Sequence, residues 1–206
     1  MKIVVFEGVD RSGKDTMIER VAGKLRENGL TVGVYRNPDA PVRKMLLDPE
    51  NDLNEKESLL CFYAGYVYTH RKIERERPDV ALVNRHVLSA LIYQKYGVGI
   101  QKSDLFLLNS YIEIPFISHY FFLNLSTEEL MKRCIDLPLL AEKYEESESA
   151  LLERRKSYMA LLATIKSDKI LRNLFSFDNI TELLNNNLID LENNVTYIVE
   201  KIMSYE

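Results

Sequence analysis

Ile3-Val4-Val5-Phe6 runs directly into Glu7-Gly8-Val9-Asp10-Arg11-Ser12-Gly13-Lys14-Asp15-Thr16, and this junction decides the fold. Four consecutive apolar residues read as a buried strand, and Met17, Val21 and Leu25 then recur at helical spacing. Between strand and helix lies G-x-x-x-x-G-K, a phosphate-binding loop in which Asp15 stands where Ser or Thr is usual. Gly8 and Gly13 permit turns that side chains resist, so successive amide N–H groups can face one cavity. The helix N-terminus near Lys14 adds partial positive charge, and the Lys14 ammonium reaches the outer phosphates.

Outward from that loop, strand-like and helix-like segments alternate, which predicts an α/β fold with a parallel sheet. Strands are expected at 31–35, 80–83 and 119–123, with a long helix at about 54–76 and Ser126-Thr127-Glu128-Glu129 opening another as a capping box. Residues 136–147 carry no periodicity. The last strand is expected at Asn187–Asp190, with a helix from about Val195 to Met203 and an irregular insertion over 167–186. Placing that strand at Ile170–Phe177 is the alternative. The asparagines at 185–187 and 193–194 read as turns.

The 206 residues suit one domain with a real core; 46% are hydrophobic and 28% charged. A net charge of −4 argues against a general nucleic-acid binder. No apolar run approaches membrane-spanning length, and Met1-Lys2 leads straight into a strand, so a soluble, cytoplasmic protein is expected. Cys61 and Cys134 fall in apolar helical patterns and read as buried free thiols, not as a disulfide or a metal site. His70, His86 and His119 lack metal-ligand spacing, and at least two read as structural.

Ligands of such sheets lie beyond the carboxyl ends of the strands. Asp10 and Arg11, Arg36, and Asn84-Arg85 all fall at strand ends there, so three arginines and Lys14 are expected on one rim. A second anion facing the first would explain them, because guanidinium forks match phosphate oxygens.

Phe6-Glu7-Gly8-Val9-Asp10-Arg11-Ser12-Gly13-Lys14, Arg36-Asn37-Pro38, Phe62-Tyr63-Ala64 and Asn84-Arg85-His86-x-x-Ser89-x-x-x-Tyr93-Gln94 together resemble the thymidylate kinase family. The resemblance covers about residues 2–160. It implies a P-loop three-layer α/β/α domain with a five-stranded parallel sheet, a homodimer packed through helices, and magnesium-dependent transfer of the ATP γ-phosphoryl to a deoxynucleoside monophosphate. Carried over, Arg11, Lys14 and Arg85 would be catalytic. Gly8, Asp10, Arg11, Ser12, Gly13, Lys14, Asp15, Thr16 and Lys143 would hold ATP, with Lys143 in a lid at about 136–147. Asp10, Arg36, Phe62, Tyr66, Arg85, Tyr93 and Gln94 would line the acceptor site. No protein nucleophile is required, since phosphoryl transfer is chiefly alignment and charge neutralisation.

Three positions depart from the family pattern: Asp15 for a hydroxyl, Asn84 for a carboxylate, and Tyr66 for an arginine facing the base. The first two read as one exchange that moves a carboxylate from the third strand to the loop. Asp15 would then anchor the metal and Asn84 orient a coordinated water. The alternative is that Asp15 repels the triphosphate and catalysis is lost. Tyr66 reads either as a pocket residue that loosens base selection or as a core aromatic. A deoxynucleoside kinase and a non-catalytic nucleotide-binding module are the rival readings of the whole chain.

Overall fold

In the computed structural model, residues 1–48, 50–112, 116–136 and 147–204 are described. Five strands, β1 (Lys2–Glu7), β2 (Val32–Arg36), β3 (Val80–Asn84), β4 (His119–Asn124) and β5 (Ile180–Leu184), form one sheet in the order β2-β3-β1-β4-β5. Every pairing is parallel. The helices are α1 (Lys14–Glu27), α2 (Ala40–Leu47), α3 (Glu55–Glu76), α4 (Val87–Tyr93), α5 (Lys102–Tyr111), α6 (Thr127–Asp136), α7 (Glu148–Ser167), α8 (Lys169–Phe175) and α9 (Leu188–Ser204).

Alternation along the central strands builds the three layers. Val4, Phe6, Leu82, Phe121 and Leu123 face α1 and α9, packing on Met17, Val21, Leu25, Val195 and Ile198. Ile3, Val5, Ala81, Val83, Tyr120 and Phe122 face the other way, against α3, α4, α7 and α8. Strands buried on both sides must read as continuous apolar runs, and β1 and β4 do. Ser126 Oγ accepts from Glu129 N at 3.1 Å, so α6 begins where its capping pattern predicts.

The C-terminal third differs from expectation. The last strand is Ile180–Leu184, and residues 188–204 are helix; Asn187–Asp190 is neither strand nor core, with Leu188 and Ile189 largely exposed. Residues 169–175 are helical, so the alternative at Ile170–Phe177 fails as well. Asp168 explains that helix: its carboxylate accepts from Ile170 N at 3.0 Å and Leu171 N at 3.1 Å.

All three histidines are buried. His70 Nε2 lies 3.1 Å from His86 Nε2, and Tyr66 stacks on the His86 ring at 4.7 Å. Burial pushes His70 down to about 4 and holds His86 well below its ordinary value. The unfolded chain therefore binds protons below pH 6.5 that the folded core refuses until about pH 4, and stability present above pH 6.5 is lost across that window. At pH 5 the expected loss through His70 alone is about 2 kcal/mol, with His86 adding in the same direction. Urea unfolding at pH 7 and pH 5 measures it, and a His70→Gln variant should flatten the slope. Among the described residues no helix is long and apolar enough to cross a membrane.

Candidate active site

The glycines of the loop are required by what surrounds them. Gly8 has φ +146°, and a Cβ there would lie 2.4 Å from the Leu123 carbonyl oxygen. Gly13 has φ +85°, and its Cβ would lie 2.7 Å from Asn185 Nδ2. The chain thus passes over the end of β4 and enters α1 at Lys14 with Ser12 buried and Asp15 and Thr16 exposed on the first turn. Lys14 Nζ donates to Gly8 O at 3.0 Å, Val9 O at 2.8 Å and Ser12 Oγ at 3.3 Å.

Beside the loop, the carboxyl end of β3 delivers Arg85. Its guanidinium forms an ion pair with Asp10 and donates to Gly8 O at 3.4 Å and Ser89 Oγ at 3.1 Å. Tyr93 OH donates to the other Asp10 oxygen at 2.5 Å. Burial alone would raise the Asp10 carboxyl; Arg85, Lys14 and the Tyr93 hydroxyl outweigh it and hold the group well below the usual carboxylate range. Asp10 is therefore an anion locked between an arginine and a phenol at the mouth of the phosphate loop.

Asp15 and Asn84, from α1 and β3, meet: Asn84 Nδ2 donates to Asp15 Oδ1 at 2.6 Å. Asn84 Oδ1 is buried with no hydrogen-bond partner among the described residues. Both line a cavity of about 290 Å³ together with Glu19, Arg26, Tyr35 and Arg36. The expected cation cluster is thus divided. Lys14 and Arg85 sit with Asp10, whereas Arg36 is exposed and shares the Asp15–Asn84 cavity. Arg11, at φ +68°, turns toward α6 and donates to Arg133 O at 2.8 Å.

Phe62 and Gln94 are buried, and Gln94 Nε2 lacks a partner among the described residues. Of the two readings of Tyr66, the core aromatic fits: its ring is fully buried and its hydroxyl donates to His86 O at 3.0 Å. Desolvating that hydroxyl without a partner would cost about 1–3 kcal/mol, so it stays on the carbonyl instead of reaching for a base. Lys143, and residues 137–146 of the expected lid, fall outside the described residues.

Several participants escaped the sequence reading. Glu7, fully buried at the end of β1, accepts from His86 N at 2.6 Å, Ser89 N at 3.1 Å and Ser89 Oγ at 2.6 Å, which ties α4 to the loop. Its burial raises the carboxyl against those hydrogen bonds and Arg85. Tyr158 OH lies 3.0 Å from Ser89 Oγ. Asn185, read as a turn residue, donates to Ser12 O at 2.8 Å, and Arg133 donates to Asn185 O at 2.8 Å and Arg11 O at 3.0 Å. Asn185 therefore braces the phosphate loop, a role that composition could not disclose.

A family model described as thymidylate kinase matches residues 6–173. A thymidylate kinase of Halothermothrix orenii is 33% identical over 105 residues, covering 47% of this chain and 51% of that one, so the match spans about half of that relative. A probable thymidylate kinase of Methanococcus aeolicus is 30% identical over 164 residues, covering 78% and 79%. In fold, the chain superposes on the Ehrlichia chaffeensis thymidylate kinase with a TM-score of 0.65 at 20% identity, over 98% of each chain. The Candida albicans enzyme gives 0.69 at 18% identity, over 100% of this chain and 93% of that one.

Proposed function

Because this chain belongs to the thymidylate kinase family, we propose that it phosphorylates dTMP to dTDP with ATP and Mg²⁺. The observation that carries the reading is the Asp10–Arg85 pair, set against Tyr93 directly beside Lys14 and the phosphate loop. A protein that only bound a triphosphate has no use for a buried carboxylate and arginine at the loop's mouth. A kinase needs both there, to orient an acceptor and to carry negative charge between two phosphates.

The loop amides and Lys14 hold the ATP phosphates, and Arg85 grips the acceptor phosphate. Asp10, held ionised by Arg85, accepts a hydrogen bond from the acceptor sugar. Phe62, Tyr93 and Gln94 bound the acceptor pocket. Arg36 stands on the Asp15–Asn84 side and screens charge there. The residues present fit a magnesium ion: Asp15 would supply a hard carboxylate oxygen, and Asn84, whose Oδ1 has no partner among the described residues, would orient a coordinated water. When bound, the metal neutralises phosphate charge. Arg11 faces α6 and steadies the loop through Arg133. A coupled ADP-release assay across dTMP, dUMP, dCMP and dGMP, with and without Mg²⁺, tests the reading. ATP binding with no product from any of the four would sink it.

The enzyme acts inside the cell, where both nucleotides are found, and as a homodimer. Leu60 and Tyr68 of α3 and Phe106, Leu107 and Tyr111 of α5 are large, apolar and more than half exposed. The two helices are neighbours, since Lys56 Nζ lies 3.3 Å from Asp104 Oδ1 and both bury leucines in one cluster. Light scattering should give twice the 24.0 kDa of the chain. The Tyr68→Glu, Phe106→Glu pair should return it to the monomer mass.

A further inference from the structure

The geometry points to Arg154, on α7, as a positioning residue for the acceptor nucleotide, acting through Tyr93. One turn of α7 shows four charged side chains with different fates. Glu153 and Lys156 pair with each other at 2.6 Å, both largely in solvent. Arg155 Nε donates to Leu125 O at 2.6 Å and ties the helix to the sheet. Arg154 alone turns into the site, its guanidinium carbon 5.0 Å from the centroid of the Tyr93 ring. That ring also carries Arg85, at 5.3 Å.

Tyr158 lies four residues on, hence on the same face of the helix. Its hydroxyl meets Ser89 Oγ at 3.0 Å and accepts from Arg85 at 3.5 Å. One face of α7 therefore delivers two side chains to the acceptor end of the site. Tyr158 braces Arg85 and Ser89, while Arg154 holds the phenol that donates to Asp10. A cation over an aromatic face restrains the ring, and it favours the phenol as hydrogen-bond donor by withdrawing charge from it. Without Arg154, the Tyr93 ring loses one of its two cation contacts, and the hydrogen bond that orients the second oxygen of Asp10 is held less firmly. The contacts end on Asp10, whose part in the proposed reaction is with the acceptor sugar, whereas Lys14 and the loop amides hold ATP, so the effect should fall on the acceptor more than on ATP. This inference rests on the kinase reading above and deepens it.

The test compares Arg154→Met, which keeps an apolar stem, with Arg154→Lys, which keeps a cation. For each, the KM values for dTMP and ATP, the calorimetric Kd for dTMP and the thermal midpoint are measured. Arg154→Met should raise KM and Kd for dTMP about tenfold, leave KM for ATP within about twofold and keep the midpoint; Arg154→Lys should recover most of the loss. In a Tyr93→Phe background the same methionine change should cost almost nothing, because the hydroxyl it serves is gone. Equal shifts for both nucleotides, no shift for either, a lysine variant as poor as methionine, or an undiminished loss in Tyr93→Phe would each overturn the inference. A wild type that binds dTMP but releases no ADP would sink the kinase reading while the Kd comparison still decides this one. A wild type that binds no dTMP would end both.

Discussion

Replacing Lys14 by methionine is expected to lower turnover by about 100- to 1,000-fold, the usual cost of removing one preorganised positive group from charge developing on a transferring phosphoryl. Fold should survive, because Lys14 is tied to loop oxygens and not to the core. A second, independent readout follows from burial. Desolvation, with Arg85 beside it, pushes Lys14 down to about 7, against the pull of Asp10, Asp15 and Glu7. Triphosphate charge raises that value again, so ATP binding should be accompanied by proton uptake at Lys14 near neutral pH. Calorimetry in phosphate and in Tris measures the uptake from the difference in apparent enthalpy. The methionine variant should show less of it. Undiminished turnover in that variant would remove Lys14 from the phosphate site.

How much of this could be read from the chain alone depends on where each signal lies. β1, the loop and β4 announce themselves because strands buried on both faces leave unbroken apolar runs, and because a loop that wraps phosphate needs glycines at fixed places. β5 leaves no such run. It is an edge strand, Thr181 and Glu182 sit in its middle, and Glu182 serves Asn124 instead of the core. Leu188-Ile189 looks more like a strand than β5 does, yet those side chains are exposed on the first turn of α9. Local apolarity therefore misplaced the strand, and only tertiary pairing with β4 puts it right. The site divides in the same way. Residues at strand ends were legible, since the parallel sheet brings those ends together whatever the loops do. Tyr66 was ambiguous because a tyrosine on an apolar helix face suits a pocket or a core, and the deciding partner, the His86 carbonyl, is twenty residues away. Arg154 and Asn185 gave no signal, since their value lies in contacts with residues 61 and 173 positions distant.

Exchanging Asp15 and Asn84 tests the most unusual feature of the site. In the Asp15→Ser variant, Asn84 loses its acceptor and the proposed metal would lose its carboxylate, so turnover should fall about 100-fold and the apparent KM for Mg²⁺ should rise. The Asn84→Asp variant replaces a hydrogen bond of 2.6 Å by two carboxyl groups at that distance. They cannot both ionise cheaply, so one takes a proton near neutral pH and both stability and turnover suffer. The double variant restores one carboxylate and one donor with their positions reversed, and should recover to within about tenfold of wild type. Binding of Mn²⁺ without nucleotide, followed by electron paramagnetic resonance, reads the metal separately from catalysis. It should weaken in Asp15→Ser and return in the double variant. The magnitude argues for coupling. A bare carboxylate about 4 Å from a phosphate costs about 4 kcal/mol at an effective dielectric near 20, so an active enzyme with Asp15 on its loop must set positive charge between them. If each single change leaves turnover within twofold of wild type, the contact is only a structural hydrogen bond and Asp15 holds no metal. If Asp15→Ser instead raises activity, the aspartate opposes catalysis.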